Sequence, residues 1–76
     1  MKSREIIGKE VIDAEARRVG TVLELEIDVI KWTVTGIIVK RGFMRKITIA
    51  AGNIDKVGDK VVLKVAIDKI QKPPLN

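Results

Sequence analysis

A short alternating run constrains the fold of this chain more than any other feature. From Leu23 to Val29 the odd positions are apolar, whereas Glu24, Glu26 and Asp28 at the even positions are acidic. Successive side chains of a β-strand point to opposite faces of a sheet, so this period of two predicts a strand with one apolar face and one solvated face. The sequence offers no facing ligand or partner carboxylate for the acidic row, and we interpret the row as solvent-exposed.

Similar patterns predict further strands on both sides of this run. They cover residues 11–12, 33–40, 45–50 and 60–68. Five or six short strands without a long helix predict an all-β fold, either a compact barrel or a highly curved sheet, since closure removes exposed strand edges. The odd-numbered faces of these strands predict one core, consisting of Leu23, Leu25, Ile27, Ile37, Val39, Ile47, Ile49, Val61 and Leu63.

The segments between the strands predict loops. Residues 13–18 lack the glycine of a tight turn and predict a looser connection, and residues 51–59 contain two glycines and predict another loop. The Pro73–Pro74 pair cannot continue a strand ladder, so we expect residues 69–76 to fray as a tail. A short helical turn from Ala66 to Gln71 is the alternative for the start of this tail.

Length and composition restrict both the organisation and the chemistry. The 76 residues leave room for one domain, 1–76, with its core at about residues 5–68. The chain contains neither Cys nor His, so disulfides, thiolate metal sites and the two most versatile catalytic side chains are all excluded. No phosphate-binding loop or dinucleotide motif is present. We therefore expect no enzymatic activity, no cofactor, no metal site and no catalytic residue.

Charge and hydropathy bear on location and partners. No apolar run approaches the roughly 20 residues that span a bilayer, and the first residues lead into no secretory segment, so we expect a cytoplasmic protein. The net charge of +5 permits attraction to nucleic acid, acidic proteins or anionic membrane surfaces. Because a third of the residues are charged and both signs are interspersed, a solvated mixed-charge surface is the simpler interpretation.

Residues 40–46 are the strongest candidate for nucleic-acid contact. Four cations surround an apolar pair there, and the candidate contact residues are Lys40, Arg41, Phe43, Arg45 and Lys46. The cations can bind phosphates while Phe43 stacks on a base. A hairpin tip with solubilising charges and a protein contact are the alternatives.

Three apolar residues are candidate contacts for a partner protein or a second copy: Trp32, Ile38 and Val62. Trp32 follows an apolar turn and either caps one end of the barrel or anchors a partner, and we favour the cap. Ile38 and Val62 lie on the outward parity of their strands. They predict a paired apolar patch outside the core, covered by a second copy or by a terminal segment.

Several segments, taken in order, resemble the PRC-barrel family. Residues 7–13 (IGKEVID) match its entry strand, Gly-x-x-Val-x-Asp, and residues 18–28 (RVGTVLELEID) match its Gly-x-Val turn into a strand that ends in Asp. Residues 35–39 (TGIIV) are similar to the hydrophobic strand that follows, and residues 47–63 to the closing half. Ala16 stands where the family often has glycine before its Gly-x-Val turn.

The resemblance implies a small β-barrel that is a binding module and not an enzyme. The chain is similar in length to short stand-alone archaeal members of the family. The resemblance therefore implies a cytoplasmic protein-binding adaptor of archaeal cell-division or RNA-processing assemblies. We expect the adaptor to be a homodimer. The alternative function is an RNA-binding or ribosome-associated small β-barrel that uses residues 40–46.

Overall fold

Six strands form a single sheet in the computed structural model, which describes residues 2–70. The strands are β1 (Glu10–Ile12), β2 (Arg18–Asp28), β3 (Thr33–Arg41), β4 (Arg45–Ala50), β5 (Ile54–Val57) and β6 (Val61–Leu63). The helical elements are two 3₁₀ turns, Ser3–Glu5 and Ala51–Asn53, and one turn of α-helix, α1 (Ile67–Ile70). The predicted all-β class is confirmed. The helical turn given as the alternative for residues 66–71 forms at Ile67–Ile70, so the expectation that residues 69 and 70 fray is wrong. The remainder of the tail predicted to fray, residues 71–76, lies outside the described residues.

The order of the strands makes the sheet curl. The order is β4-β3-β2-β1-β6-β5, and all neighbours are antiparallel except β1 and β6. The outermost strands, β4 and β5, are consecutive in the chain and are joined only by the three residues Ala51–Asn53. Because three residues reach about 10 Å at most, the two edges of the sheet must approach each other. No ladder joins β4 to β5 within residues 2–70, so the fold is the highly curved sheet of the two predicted forms.

The concave side of the sheet holds the core. Its buried apolar residues are Val11, Val19, Val22, Ile37, Val39, Ile49, Val61, Leu63 and Ile67. Five of these belong to the predicted core, and the predicted members Leu25 and Ile47 are partly buried against it. Leu23 and Ile27 were predicted inside, and this prediction is wrong: Leu23 is only half-buried and Ile27 is 50 % exposed.

A bulge in β2 explains the error at Leu23. Val22 pairs with Val39 and Glu24 pairs with Ile38, so Leu23 is an extra residue without an opposite partner. An extra residue changes which alternate side chains point inward. The even-numbered Val22 therefore points into the core before the bulge, and the odd-numbered Leu25 packs against the core after it. A second irregularity follows between Glu26 and Ile27.

Close backbone approach at Gly20 holds the curl between β2 and β3. A Cβ atom at Gly20 would lie 2.1 Å from the carbonyl oxygen of Lys40 and 2.9 Å from Cγ1 of Val39. Only glycine leaves room for this approach, because real Cβ atoms do not come so near to backbone oxygen. The glycine of the Gly-x-Val turn is thus a packing requirement.

The C-terminal third departs from the predicted pattern. Residues 51–59, predicted as a loop, contain strand β5, and the predicted strand over residues 60–68 ends at Leu63. The ladder between β5 and β6 changes register between Ile54 and Lys56, so β5 lacks the regular alternation that identifies a strand in sequence.

Asp13 closes the connection between β1 and β2. Its carboxylate is 1 % exposed and accepts hydrogen bonds from the backbone N–H groups of Glu15 (2.9 Å), Arg17 (2.8 Å) and Ile67 (2.9 Å) and from Nε of Arg17 (3.0 Å). The backbone N–H of Asp13 also donates to the carbonyl of Arg17, and Ala16 has a φ of 63°. The connection is therefore a compact turn. The looser loop predicted here is wrong, because hydrogen bonds to the Asp13 carboxylate close the turn although it lacks glycine.

Candidate interaction surfaces at the two ends of strand β3

Exposed apolar side chains gather at the two hairpin turns that flank β3. We call Ile27, Val29, Ile30, Trp32 and Val34 the β2–β3 tip, and residues 40–46 the β3–β4 tip. Together they hold all but one of the exposed large apolar residues of the described chain, Ile7 being the exception. The nine residues of β3 extend over about 26 Å at 3.3 Å per residue, and the two tips lie at its opposite ends, so each tip is a separate surface.

The β2–β3 tip extends beyond the neighbouring strands. The pairing of β4 with β3 ends at Gly36, and the pairing of β1 with β2 begins at Thr21. The cross-strand pair of Ile27 and Val34 lies past both, and both side chains are about half exposed. Within the described residues the end of this hairpin has no strand on either side.

Asp28 shapes the turn at this tip. Its Oδ1 accepts hydrogen bonds from the backbone N–H groups of Ile30 (2.9 Å) and Lys31 (3.2 Å), an arrangement typical of an Asx turn. The turn presents Ile30 at 89 % exposure. The last acidic residue of the alternating run thus has a local structural role.

Trp32 ends the turn in a costly conformation. Its φ is 55°, in the left-handed region, and its side chain is 81 % exposed. A left-handed residue other than glycine costs about 1–2 kcal/mol, and Trp32 gains little packing within the described chain in return. The prediction that Trp32 caps one end of the barrel is wrong, because a cap would be buried.

Ile38 and Val62 do not form the paired patch that was predicted. They lie on β3 and β6, which are separated in the sheet by β2 and β1. Both side chains are half-buried, Ile38 opposite Thr48 and Val62 opposite Ile12. The structure therefore does not bring Trp32, Ile38 and Val62 into one surface, and a partner contact at Ile38 or Val62 stays a prediction.

The β3–β4 tip combines apolar and cationic side chains. Gly42 has a φ of 70° and starts the turn, and Phe43 and Met44 at its apex are 91 % and 85 % exposed. Behind the apex, Lys40 pairs with Lys46 and Arg41 with Arg45 across the ladder between β3 and β4. The residues singled out from the sequence as nucleic-acid contacts are thus brought together at one hairpin.

A shallow hollow adjoins the β3–β4 tip. It is lined by residues 18–21 of β2 and residues 40–42. The Nη1 atom of Arg41 is buried and has no hydrogen-bond partner within residues 2–70. Arg18, also in the lining, pairs with Glu10 at 3.2 Å. Sequence patterns do not reveal such an atom, because burial of one guanidinium nitrogen depends on the curl of the sheet.

Residues 2–70 hold no cluster of three or more His, Cys, Asp or Glu side chains suited to a metal ion. No helix of this region has the length and apolar character needed to cross a bilayer. The acidic side chains of Glu24 and Glu26 are exposed on the outer face of β2.

Comparison with known proteins identifies the family. A search of curated proteins finds no significant match. The family model of the PRC-barrel domain matches residues 1–69 of the 76 residues, so it covers all six strands and nearly all of α1. The segments that carried the resemblance in sequence lie on β1, β2 and β3, and the closing half, residues 47–63, contains most of β4 and all of β5 and β6. This chain therefore belongs to the PRC-barrel family.

Proposed function

We propose that this chain is a protein-binding adaptor and that the β2–β3 tip is its contact surface. PRC-barrel domains are non-catalytic modules that mediate protein interactions, which supports a binding role. The observation that carries the proposal is Trp32, a strained and exposed aromatic side chain beside the exposed Ile30. Backbone strain without internal packing is typical of functional positions. A tryptophan that a partner buries is among the side chains that contribute most to the affinity of protein interfaces.

The chemistry of the tip indicates the kind of partner. Ile30 and Trp32 would fill an apolar groove of the partner protein, and the exposed Glu24 and Glu26 on the adjoining strand favour a groove with basic residues at its rim. The turn is already fixed by Asp28, so little conformational entropy is lost when it binds.

The proposal includes the setting and assembly that the family resemblance implies. The adaptor would act in the cytoplasm, in an archaeal cell-division or RNA-processing assembly, and as a homodimer. Self-association is supported by the half-buried Ile38 and Val62, which lie outside the core and would leave the β2–β3 tip free for the partner protein. Sedimentation at high micromolar concentration tests this part: a mass of two chains is expected, and a mass of one chain contradicts it.

Affinity purification of the tagged chain from its native cells tests the adaptor role. Trp32→Ala should lose the proteins that the unmodified chain retains, because it removes the anchor. Phe43→Ala is the matched control, since it removes an equally exposed aromatic side chain at the opposite tip and should keep them. Equal recovery with Trp32→Ala, or recovery of RNA alone, contradicts the proposal.

RNA is the alternative ligand, through the β3–β4 tip. The four cations and the exposed Phe43 favour it. Single-strand binders, however, stack successive bases on several aromatic side chains, and the only other aromatic residue, Trp32, lies at the far end of β3. If RNA is the ligand, the unmodified chain should bind an RNA oligomer, and this binding should weaken steeply as the salt concentration is raised. Arg45→Glu should abolish the binding.

A further inference from the structure

We infer that the β3–β4 tip docks on an anionic membrane surface, with Phe43 and Met44 in the interfacial layer and the surrounding cations on lipid phosphate groups. The tip is a separate surface from the one proposed to bind protein, at the opposite end of β3. The inference does not depend on the adaptor role.

The arrangement of charge is the first observation. Lys40 faces Lys46 and Arg41 faces Arg45 across the ladder, and like charges directly opposite each other destabilise a sheet. Within residues 2–70 none of the four forms an ion pair. Because successive residues point to opposite faces, the cations lie on both sides of the hairpin and surround its base. A polyanionic surface would neutralise both repulsive pairs at once.

The apex is the second observation. Phe43 and Met44 are adjacent and nearly fully exposed, and no acidic residue occurs between positions 40 and 46. Apolar side chains flanked by Lys and Arg are the pattern by which a surface-bound element enters the boundary between headgroups and acyl chains. Methionine offers no ring on which a base can stack, so the pair suits a lipid layer better than RNA.

The Arg41 guanidinium is the third observation. Arg41 lines the hollow together with Arg18 and Lys40, and its buried Nη1 has no hydrogen-bond acceptor within the described residues. A phosphate group entering this hollow would accept hydrogen bonds from the guanidinium groups that line it, because guanidinium binds phosphate through charge-assisted hydrogen bonds. The hollow is therefore suited to the headgroup of one lipid while the apex lies between its neighbours.

Co-sedimentation of the full chain with vesicles tests the inference. Binding is expected to vesicles that contain phosphatidylglycerol and not to vesicles of phosphatidylcholine alone. Each cation near an anionic surface contributes about fivefold in affinity, so the double variant Arg45→Gln/Lys46→Gln should bind about 25-fold more weakly. The control Lys56→Gln/Lys64→Gln changes the net charge equally at exposed positions away from the tip, and it should stay close to the unmodified chain.

Tryptophan fluorescence locates the contact. The chain has a single tryptophan, Trp32, at the far tip, so its emission should not change when vesicles are added. In the variant Trp32→Phe/Phe43→Trp the single tryptophan stands at the apex, and its emission should shift to the blue. A shift in the unmodified chain with none in the moved-tryptophan variant contradicts the inference.

Further results would overturn it. One is binding that Phe43→Ser/Met44→Ser leaves unchanged, and another is equal loss of binding in the Lys56/Lys64 control. A third is no binding to phosphatidylglycerol vesicles together with binding of a single-stranded oligouridylate that Arg45→Gln/Lys46→Gln abolishes. That outcome would assign the tip to RNA instead.

Discussion

The carboxylate of Asp13, after β1, accepts a hydrogen bond of 2.9 Å from the backbone N–H of Ile67, the first residue of α1. This contact joins positions 54 residues apart, and it fixes the start of the C-terminal helical turn against the turn between β1 and β2. Arg17 strengthens the junction, because its guanidinium pairs with both Asp13 (3.0 Å) and Asp68 of α1 (3.2 Å).

The Asp13 junction predicts a specific acid sensitivity. Burial raises the pKa of the Asp13 carboxyl, but hydrogen bonds from the backbone of Ile67, Arg17 and Glu15 and from the Arg17 side chain outweigh burial and lower the pKa from 3.8 to about 2. Because the folded-state pKa is depressed, the stabilisation is complete above the unfolded-state pKa and is lost as the pH falls from about 4 towards 2. Urea unfolding across this pH range measures the loss.

Asp13→Asn should remove that dependence. The variant should be less stable at neutral pH, and its free energy of unfolding should change less between pH 4 and pH 2 than that of the unmodified chain. Asp68→Asn is the control: within residues 2–70 this exposed carboxylate pairs only with Arg17, so the variant should keep the acid dependence. An unchanged acid profile in Asp13→Asn would contradict the assignment of the dependence to Asp13.

Ala16→Gly should stabilise the chain. Ala16 has a φ of 63°, where glycine avoids the left-handed penalty of about 1–2 kcal/mol at an entropic cost of roughly half as much, so we expect a gain of about 0.5–1 kcal/mol in the free energy of unfolding. Ala14→Gly in the same turn lacks a positive φ and should give no gain. Stabilisation by Ala14→Gly but not by Ala16→Gly would be the contrary result.

Gly20→Ala should be severely destabilising. The added Cβ would meet backbone oxygen of Lys40, which cannot rotate away as a side chain can, so we expect a loss of about 3 kcal/mol or failure to fold. Gly52→Ala is the control, since no atom of residues 2–70 outside its chain neighbours lies within 4 Å of the added carbon. Thermal unfolding of the two variants compares them, and equal midpoints would refute the packing role of Gly20.

Ile49→Ala and Ile30→Ala should have opposite consequences. Ile49 is fully buried, so its truncation should cost about 2–5 kcal/mol in unfolding free energy. Ile30 is exposed at the β2–β3 tip, and its truncation should change stability by less than about 0.5 kcal/mol while weakening partner binding. A large stability loss in Ile30→Ala would show that the tip belongs to the core.

The sequence pattern predicted the fold well where each strand keeps a regular register. Ile37, Val39, Val61 and Leu63 were correctly placed in the core because β3 and β6 alternate without interruption there. Leu23 was misplaced because the β2 bulge reverses the faces, and a bulge of this kind leaves no mark in the order of apolar residues.

The two candidate surfaces were predictable to different degrees. The cations and Phe43 could be assigned to a hairpin tip from residues 40–46 alone, since local sequence determines a local turn. The exposure of Trp32 could not be predicted in this way, because it depends on where β1 and β4 stop alongside β2 and β3. The role of Asp13 was missed for the same reason, since its partner Ile67 is distant in sequence.

Site-specific photocrosslinking in native cells tests the central claim, that the β2–β3 tip binds a protein, most directly. A photoreactive amino acid replaces Ile30 at this tip in one variant and the exposed Thr48 on β4 in another. We expect discrete protein adducts from position 30, lost when Trp32→Ala is added, and none from position 48. Equal adducts from both positions, or none from position 30, would contradict the claim.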